Sequence, residues 1–194
     1  MKKLLLTALL VLTLLVLPAA AWAESVKYLD ENGVEQTVSA AKFMSIEDDY
    51  KWKTGWYVIK RDLEISNRIY TISGDVRLIL CDGVTLNAKK GISVIHINGL
   101  TIYAQSTGDN MGRLIATGTG GDEGIGGDSG IGILDSGSVT INGGLITASG
   151  GGMGGAGIGG GAGKKYNTVD ETTGGNGGVV PINGGIVTAE GKKG

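Results

Sequence analysis

A ten-residue unit that occurs twice is the feature that most constrains how this chain folds. The unit at Ile141–Gly150 reads INGGLITASG, and it returns 41 residues later at Ile182–Gly191 as INGGIVTAEG. A second element, Gly-Ile-Gly-Gly, begins at Gly124 and again at Gly157, and a fainter Gly-Ile-Ser begins at Gly91. Short apolar runs that recur and end at glycine or asparagine predict stacked structural units with one shared core.

The repeats also predict which residues lie against one another in the stack. Equivalent strands of successive units would pair about 4.8 Å apart, so like residues would meet like. The predicted pairs are Ile125 with Ile158, Ile141 with Ile182, and Asn142 with Asn183. An alternative register brings Asn98 to the two asparagines, but it breaks the matched isoleucines. The sequence therefore predicts an all-β fold, a parallel β-helix (β-solenoid) with three short strands in each repeat.

The N-terminus has the three parts of a secretory signal peptide. Two lysines follow Met1, an uncharged leucine-rich run covers residues 4–17, and Ala-Trp-Ala at residues 21–23 forms an A-x-A cleavage pattern. The apolar run is shorter than the roughly 20 residues that a spanning helix needs. We expect cleavage after Ala23, which removes residues 1–23, leaves no membrane span and gives a secreted or cell-surface protein.

Composition divides the mature chain into two parts. Most of the 37 glycines lie from Gly118 onward, whereas the aromatic residues concentrate before Tyr70. Asn32–Gly33 separates two runs with strand character, which predicts a β-hairpin. We expect a small N-terminal hairpin and aromatic capping module at residues 24–55, followed at residues 56–194 by glycine-rich β-helix repeats that are truncated in mid-repeat.

Charge, cysteine content and glycine density bear on the protein's possible partners and on the structure of its glycine-rich part. The net charge is −2 and no basic stripe is present, so nucleic acid is not an expected partner. The single cysteine, Cys81, lies in an apolar run, which favours a small buried residue over a reactive thiol. Dense glycine at residues 150–163 and 167–178 is also typical of mobile loops. A calcium-binding nonapeptide roll would need repeated G-G-x-G-x-D units, which are absent.

Four aromatic residues that lie close together form the candidate ligand-binding set. Flat rings stack on the apolar faces of sugars, so this set would serve as a glycan platform. The competing interpretation is that the rings pack the N-terminal module and cover the first repeat, since aromatic residues dominate small cores. The candidates are Tyr50, Trp52, Trp56 and Tyr57.

Three carboxylates in the glycine-rich loop after Gly118 form the candidate metal set. Asp122, Glu123 and Asp128 would offer oxygen ligands to calcium, or a paired acid and base with Arg113 nearby. The competing interpretation is solubilising surface charge. No cofactor is required by the sequence, and calcium is the candidate ion. His96 alternates with isoleucines, which predicts a strand residue that points outward.

The chain from Trp56 onward resembles the glycine-rich β-helical repeat regions of large exported proteins of gut Gram-positive bacteria, and its start resembles their N-terminus. The residues that carry the resemblance are Tyr28–Gly33, Gly55–Val58, Ser73–Leu80, Leu100–Ser106, Ala156–Gly161 and the two Ile-Asn-Gly-Gly units. The resemblance implies a right-handed, pectate-lyase-like β-helix that is presumed to bind carbohydrate. Polysaccharide lyases of that fold use acidic calcium ligands with a catalytic arginine or lysine, and that set does not map onto this chain.

These observations predict a non-enzymatic secreted or cell-surface protein that serves in adhesion, glycan binding or display, with polysaccharide or cell-wall glycan as its partner. One alternative is a polysaccharide-degrading lyase or hydrolase that uses the Asp122 loop. Another is a structural stalk without a ligand. Fold alone does not decide among them, because one architecture hosts many functions.

Overall fold

The computed structural model describes residues 25–39, 43–44, 50–127, 136–162 and 174–194. The signal-peptide prediction lies outside these residues. The described residues contain fifteen strands and no helix, and thus no helix capable of crossing a membrane. The strands are β1 Ser25–Leu29, β2 Glu35–Ser39, β3 Phe43–Met44, β4 Lys51–Ile59, β5 Leu63–Ile65, β6 Ile69–Leu80, β7 Thr85–Ala88, β8 Ile92–Val94, β9 Gly99–Ala104, β10 Arg113–Thr117, β11 Ile125–Gly126, β12 Ser138–Ile141, β13 Leu145–Ser149, β14 Ile158–Gly159 and β15 Ile186–Glu190.

The described strands form a hairpin and two parallel sheets. In the hairpin, β1 pairs with β2 in antiparallel fashion. One parallel sheet has five strands in the order β15-β13-β10-β7-β5. The other has eight strands, with β12-β9-β6-β8-β11-β14 as its main path and β4 joining β3 to β6. The chain passes repeatedly between the two parallel sheets.

This topology corrects the fold class predicted from the sequence, a right-handed parallel β-helix with three separate short strands in each repeat. The main reason is β6, whose twelve residues continue through Gly74. Its first part pairs with β8 and its second part with β9, so strands that were expected to be separate join into one curled eight-stranded sheet. Gly74 bends the strand with a φ of 56° but does not end it. The described architecture is therefore two mostly parallel sheets without helices.

The predicted capping module at residues 24–55 shares a strand with the residues that follow it, because residues 55 and 56 both lie inside β4. The hairpin packs through Val26 and Val38 against Ile79, which lies on the eight-stranded sheet. Lys51–Lys53 forms the start of β4.

The core lies between the two parallel sheets. Parallel sheets are normally covered on both faces, and here each sheet covers one face of the other. Side chains alternate along the strands, as in β9, where every second residue is buried. Paired strands place these residues in columns. One column of the five-stranded sheet consists of Leu63, Leu86, Leu114, Ile146 and Val187.

The residue pairs predicted from the repeats are confirmed. Ile125 pairs with Ile158 in β11 and β14. An isolated bridge joins Ile141 to Ile182. The alternative register is wrong, because Gly99, the residue after Asn98, pairs with Ser138, four residues before Asn142. The asparagines form their predicted hydrogen bond, from Asn183 Nδ2 to Asn142 Oδ1 over 2.8 Å.

The predicted hairpin is confirmed, with a turn that differs in detail. Of the Asn32–Gly33 pair only Gly33 has a positive φ, at 73°. The Asp30 carboxylate accepts hydrogen bonds from the backbone N–H groups of Asn32 and Val34, at 3.0 and 2.9 Å. A carboxylate that bonds its own backbone two residues on is a common turn stabiliser. The loop is thus held by Asp30 and closed by Gly33.

The Gly-Ile-Gly-Gly elements are places where backbone meets backbone. A Cβ at Gly124 would lie 2.7 Å from the carbonyl oxygen of Gly157. A Cβ at Gly126, whose φ is 142°, would collide with the carbonyl oxygen of Gly159. Side chains are excluded at these contacts, which explains why glycine recurs there. The described part of the glycine-rich segment, through residue 162, includes β14 rather than loop alone.

Candidate functional site

Two of the four candidate aromatic residues belong to the core. Trp52 is fully buried, Tyr57 is 2% exposed, and their rings stack with centroids 5.1 Å apart. The Tyr57 hydroxyl accepts a hydrogen bond from the Lys53 backbone N–H at 2.9 Å. Neither ring presents a free face on which a sugar would stack. For these two residues the packing interpretation left open by the sequence describes what the structure shows.

Trp56 is the centre of an aromatic group on the outer face of the eight-stranded sheet. Its ring lies 5.0 Å from that of Tyr28 and 5.5 Å from that of Tyr103, measured between centroids. The two tyrosine rings meet edge to face at 4.8 Å. The Arg77 guanidinium lies 5.6 Å from the Trp56 ring, within cation–π range. We call these four residues the Trp56 cluster.

The cluster is assembled by register and alternation. Trp56 of β4 pairs directly with Arg77 of β6, so both side chains leave the sheet on the same face. Tyr103 of β9 pairs with Ile79, two residues further along β6. Tyr28 reaches the same face from the hairpin, which packs there. All four cluster residues are partly exposed.

The electrostatics of the cluster keep its tyrosine hydroxyls protonated. Burial raises the pKa of Tyr28, and the charge of Asp30 adds to the effect. Burial also raises the pKa of Tyr103, while the nearby Arg77 works in the opposite direction. At neutral pH both hydroxyls are therefore hydrogen-bond donors. Partly exposed rings with protonated hydroxyls and a guanidinium present the mixed apolar and polar surface that suits a sugar ring.

Tyr50, the fourth candidate, lies just before β4. It is half-buried, and the Lys51 ammonium lies 5.7 Å from the centre of its ring. The ring contacts shown for Trp56 involve Tyr28 and Tyr103, not Tyr50. The structure therefore brings only Trp56 of the four sequence candidates into the Trp56 cluster, whose residues are partly exposed.

The carboxylates proposed for calcium are engaged by an arginine that the sequence did not single out. Arg68 forms an ion pair with Glu123, which is fully buried, and another with Asp122 at 3.4 Å. Arg68 Nη1 also donates to the Lys90 carbonyl at 2.9 Å. Among the described residues no group of three or more potential ligands could hold a metal ion. Asp128 lies outside the described residues.

This arrangement is that of a buried structural ion pair. Arg68 is 7% exposed and joins the start of β6 to the loop that precedes β11. Arg113, the proposed partner of a catalytic carboxylate, is exposed at the start of β10 and lines an open groove with Asp109. A carboxylate fixed to a buried arginine stabilises the loop that carries it.

His96 and Cys81 differ in part from their predicted settings. His96 is exposed as predicted, but it lies in a turn with a φ of 57° rather than in a strand. The turn closes through the Asn98 N–H, which donates to the Ile95 carbonyl, and it leaves Ile97 95% exposed. Cys81 is half-buried and packs beside the Val26 and Val38 contact.

Comparisons with known proteins identify no relative. No family model matches the chain, and neither a curated protein nor a solved structure shows significant similarity to it. The resemblance to exported proteins of gut bacteria therefore stays a prediction, and function has to be argued from the cluster itself.

Sequence reasoning missed three of the four cluster residues. Tyr103 carried a usable signal, because it alternates with Leu100 and Ile102, which places it on the opposite face of its strand. Tyr28 and Arg77 carried none, since Arg77 joins the cluster through the pairing of β4 with β6 and Tyr28 through the docking of the hairpin. Such docking is a long-range contact that no local pattern encodes.

Proposed function

We propose that this is a non-enzymatic secreted or cell-surface protein that binds glycans through the Trp56 cluster. The observation that carries the proposal is the partly exposed grouping of three aromatic rings and one guanidinium where the hairpin packs on the outer face of the eight-stranded sheet. Rigid aromatic platforms lose little conformational entropy when a ligand stacks on them. The predicted signal peptide supports an extracellular location, where polysaccharide and cell-wall glycans are available.

The ion pairs of Arg68 argue against catalysis at the Asp122 loop and so favour the interpretation that the protein binds glycan without cleaving it. A general acid or base must reach a substrate, and the Glu123 carboxylate is fully buried beside Arg68. We therefore place the interaction with glycan on the outer sheet face and assign the carboxylate loop a structural role.

The test is retention of residues 24–194 on insoluble polysaccharides and purified cell walls, with released sugars measured in the same tubes. We expect retention by the unmodified chain, loss of retention in Trp56→Ala, and no sugar release. Tyr50→Ala is the matched control, because it removes a half-buried aromatic ring beside the same strand but outside the cluster. Circular dichroism establishes that each variant is folded.

Two outcomes would overturn the proposal. Retention that survives Trp56→Ala in a folded protein would exclude the cluster as the binding surface. Sugar release that disappears in Asp122→Ala would establish an enzyme instead. Absence of both retention and release would leave a structural stalk.

A further inference from the structure

An open pocket with polar and apolar walls lies where the hairpin loop approaches the Ile-Asn-Gly-Gly repeats. It has a volume of about 250 Å³ and is walled by Asp30–Gly33 on one side. Ser106 and Thr107 line it next to the repeats. The opposite wall is Asn142–Gly143 with Asn183–Gly185. The repeated motif that most constrained the sequence thus forms one side of this pocket.

The glycines of the motif explain why the asparagines are the side chains that line this wall. A Cβ at Gly143 would lie 2.8 Å from the Cβ of Ala104, so the backbone there is pressed against the strand beneath it. Gly144 and Gly185 have φ values of 105° and 86°, which other residues rarely adopt. The backbone of the motif therefore packs against the neighbouring strand, and Asn142 and Asn183 line the pocket wall.

Asn142 has hydrogen-bonding capacity that its protein contacts do not use. Its side chain is 8% exposed, and its Oδ1 accepts the bond from Asn183. Within the described parts of the chain, its amide nitrogen donates to no protein atom. A primary amide carries two N–H donors, and these remain open to water or to a ligand in the pocket. Asn142 thus supplies a pre-oriented donor pair at the pocket.

The hairpin loop makes the facing wall negative. Backbone donation from Val34 lowers the pKa of Asp30, with further donation from Gln36 and Asn32, so this carboxylate is ionised at neutral pH. Glu31, next to it, is exposed. Two carboxylates in one pocket wall disfavour an anionic ligand by like-charge repulsion. They accept hydrogen bonds from hydroxyl groups, which a neutral ligand can supply.

The pocket and the Trp56 cluster share the hairpin. Tyr28 belongs to the cluster and Asp30, two residues on, belongs to the pocket. Glu31, three residues after Tyr28, also lines the pocket. A chain of linked sugars that stacks on the cluster is thereby directed towards the pocket.

We propose that this pocket is a second glycan subsite, selective for uncharged hexose units over uronic acids. This inference rests on the proposed function of the Trp56 cluster. One sugar stacks on Trp56, and a sugar further along the same oligosaccharide, beyond the reach of a disaccharide, places its hydroxyls between the Asn142 amide and the carboxylates of the hairpin loop.

The experiment is calorimetric titration of the mature chain with tetrasaccharides and disaccharides of glucose, galactose and mannose, and with a galacturonic acid tetramer. We expect a neutral tetramer to bind more tightly than its disaccharide and more tightly than the uronate. Asn142→Asp preserves the acceptor used by Asn183 but replaces the donors with a negative charge. It should weaken tetramer binding about tenfold and leave disaccharide binding on the cluster unchanged.

Two further variants sharpen the result. Asn142→Leu removes the donors without adding charge, and Asn87→Leu is the matched control, an asparagine whose amide bonds Glu64 on the five-stranded sheet. Glu31→Gln removes one negative charge from the pocket wall, so the affinity for the galacturonic acid tetramer should rise towards the affinity for the neutral tetramer.

The outcomes separate the two proposals. Unchanged tetramer affinity in both Asn142 variants, or preferred binding of the uronate by the unmodified chain, would overturn the subsite and leave the cluster standing. If folded Trp56→Ala binds every probe as tightly as the unmodified chain does, the proposed function itself is overturned. If the unmodified chain binds none of the probes, both proposals fail.

Discussion

The layers from β4 to β9 and the layers from β11 to β15 use the same parallel pairing but hold together in different ways. The first region is filled by large side chains, among them Trp52, Tyr57 and Leu78, all 2% exposed or less. The second brings backbone against backbone, as at Gly126 and Gly159. Large buried side chains fill the first region, whereas the second combines smaller buried side chains, such as Ile125 and Ile146, with close backbone contacts at glycine. The first should therefore be sensitive to truncation and the second to enlargement.

Trp52→Ala should have the largest effect in the aromatic region. Removing a fully buried tryptophan costs about 3–5 kcal/mol, from lost transfer free energy and the cavity that remains. Urea unfolding followed by circular dichroism measures the free energy of unfolding. Tyr50→Ala, at a half-buried ring, should cost clearly less; equal losses would show that burial does not distinguish the two sites.

Arg68→Met tests the link between the two regions, because Arg68 precedes β6 and Glu123 lies in the glycine-rich part. Leaving Glu123 buried without its guanidinium should cost about 3–5 kcal/mol. The double variant Arg68→Met/Glu123→Leu should recover most of that loss in the same urea assay. A double variant no more stable than Arg68→Met would contradict the ion-pair interpretation.

Gly126→Ala tests sensitivity to enlargement in the second region. A methyl group there meets the backbone of Gly159, and the φ of 142° disfavours any side chain. We expect a loss of about 2–3 kcal/mol, typical of overpacking with added backbone strain. Gly152→Ala is the matched control, since nothing lies within 4 Å of a Cβ at that position. Similar stability of the two variants would refute the idea of close backbone layers.

The hairpin should respond to acid with the smallest effect. Because hydrogen bonds, first that from Val34, lower the pKa of Asp30 in the folded chain, they favour the ionised carboxylate. The stabilisation is present above the ordinary value of 3.8 and is lost as the pH falls through the lowered folded pKa. NMR shifts of the Asn32 and Val34 amides should change in that acid range. Asp30→Ala should abolish the change, and persistence of the change in that variant would assign it to another group.

The sequence predicted contacts between equivalent repeat positions better than it predicted the assembly. Identical residues at fixed spacing were enough to pair Ile125 with Ile158 and Asn142 with Asn183. Repeats with the same apolar pattern and the same glycine turns can pair in register only when equivalent residues face each other. The long course of β6 through Gly74 was not predictable, since glycine either bends or ends a strand according to its surroundings.

The candidate site was only partly predictable for a related reason. Trp56 was recognised by its residue type, but its separation from Trp52 depends on the irregular register of β4 between Trp52 and Gly55, which shifts the alternation and which the sequence pattern did not reveal. Arg68 was missed because its partner Glu123 lies 55 residues away. Contacts of this kind follow from the completed fold and not from any local pattern.

Hydroxyl-radical footprinting of the mature chain, bound to a polysaccharide that retains it, tests the glycan-binding surface most directly. Our account predicts that oxidation of Trp56, Tyr28 and Tyr103 falls on binding, while oxidation of Met153, which is 71% exposed, stays the same. Retained protein whose Trp56 is oxidised as fast as in the free chain would contradict it.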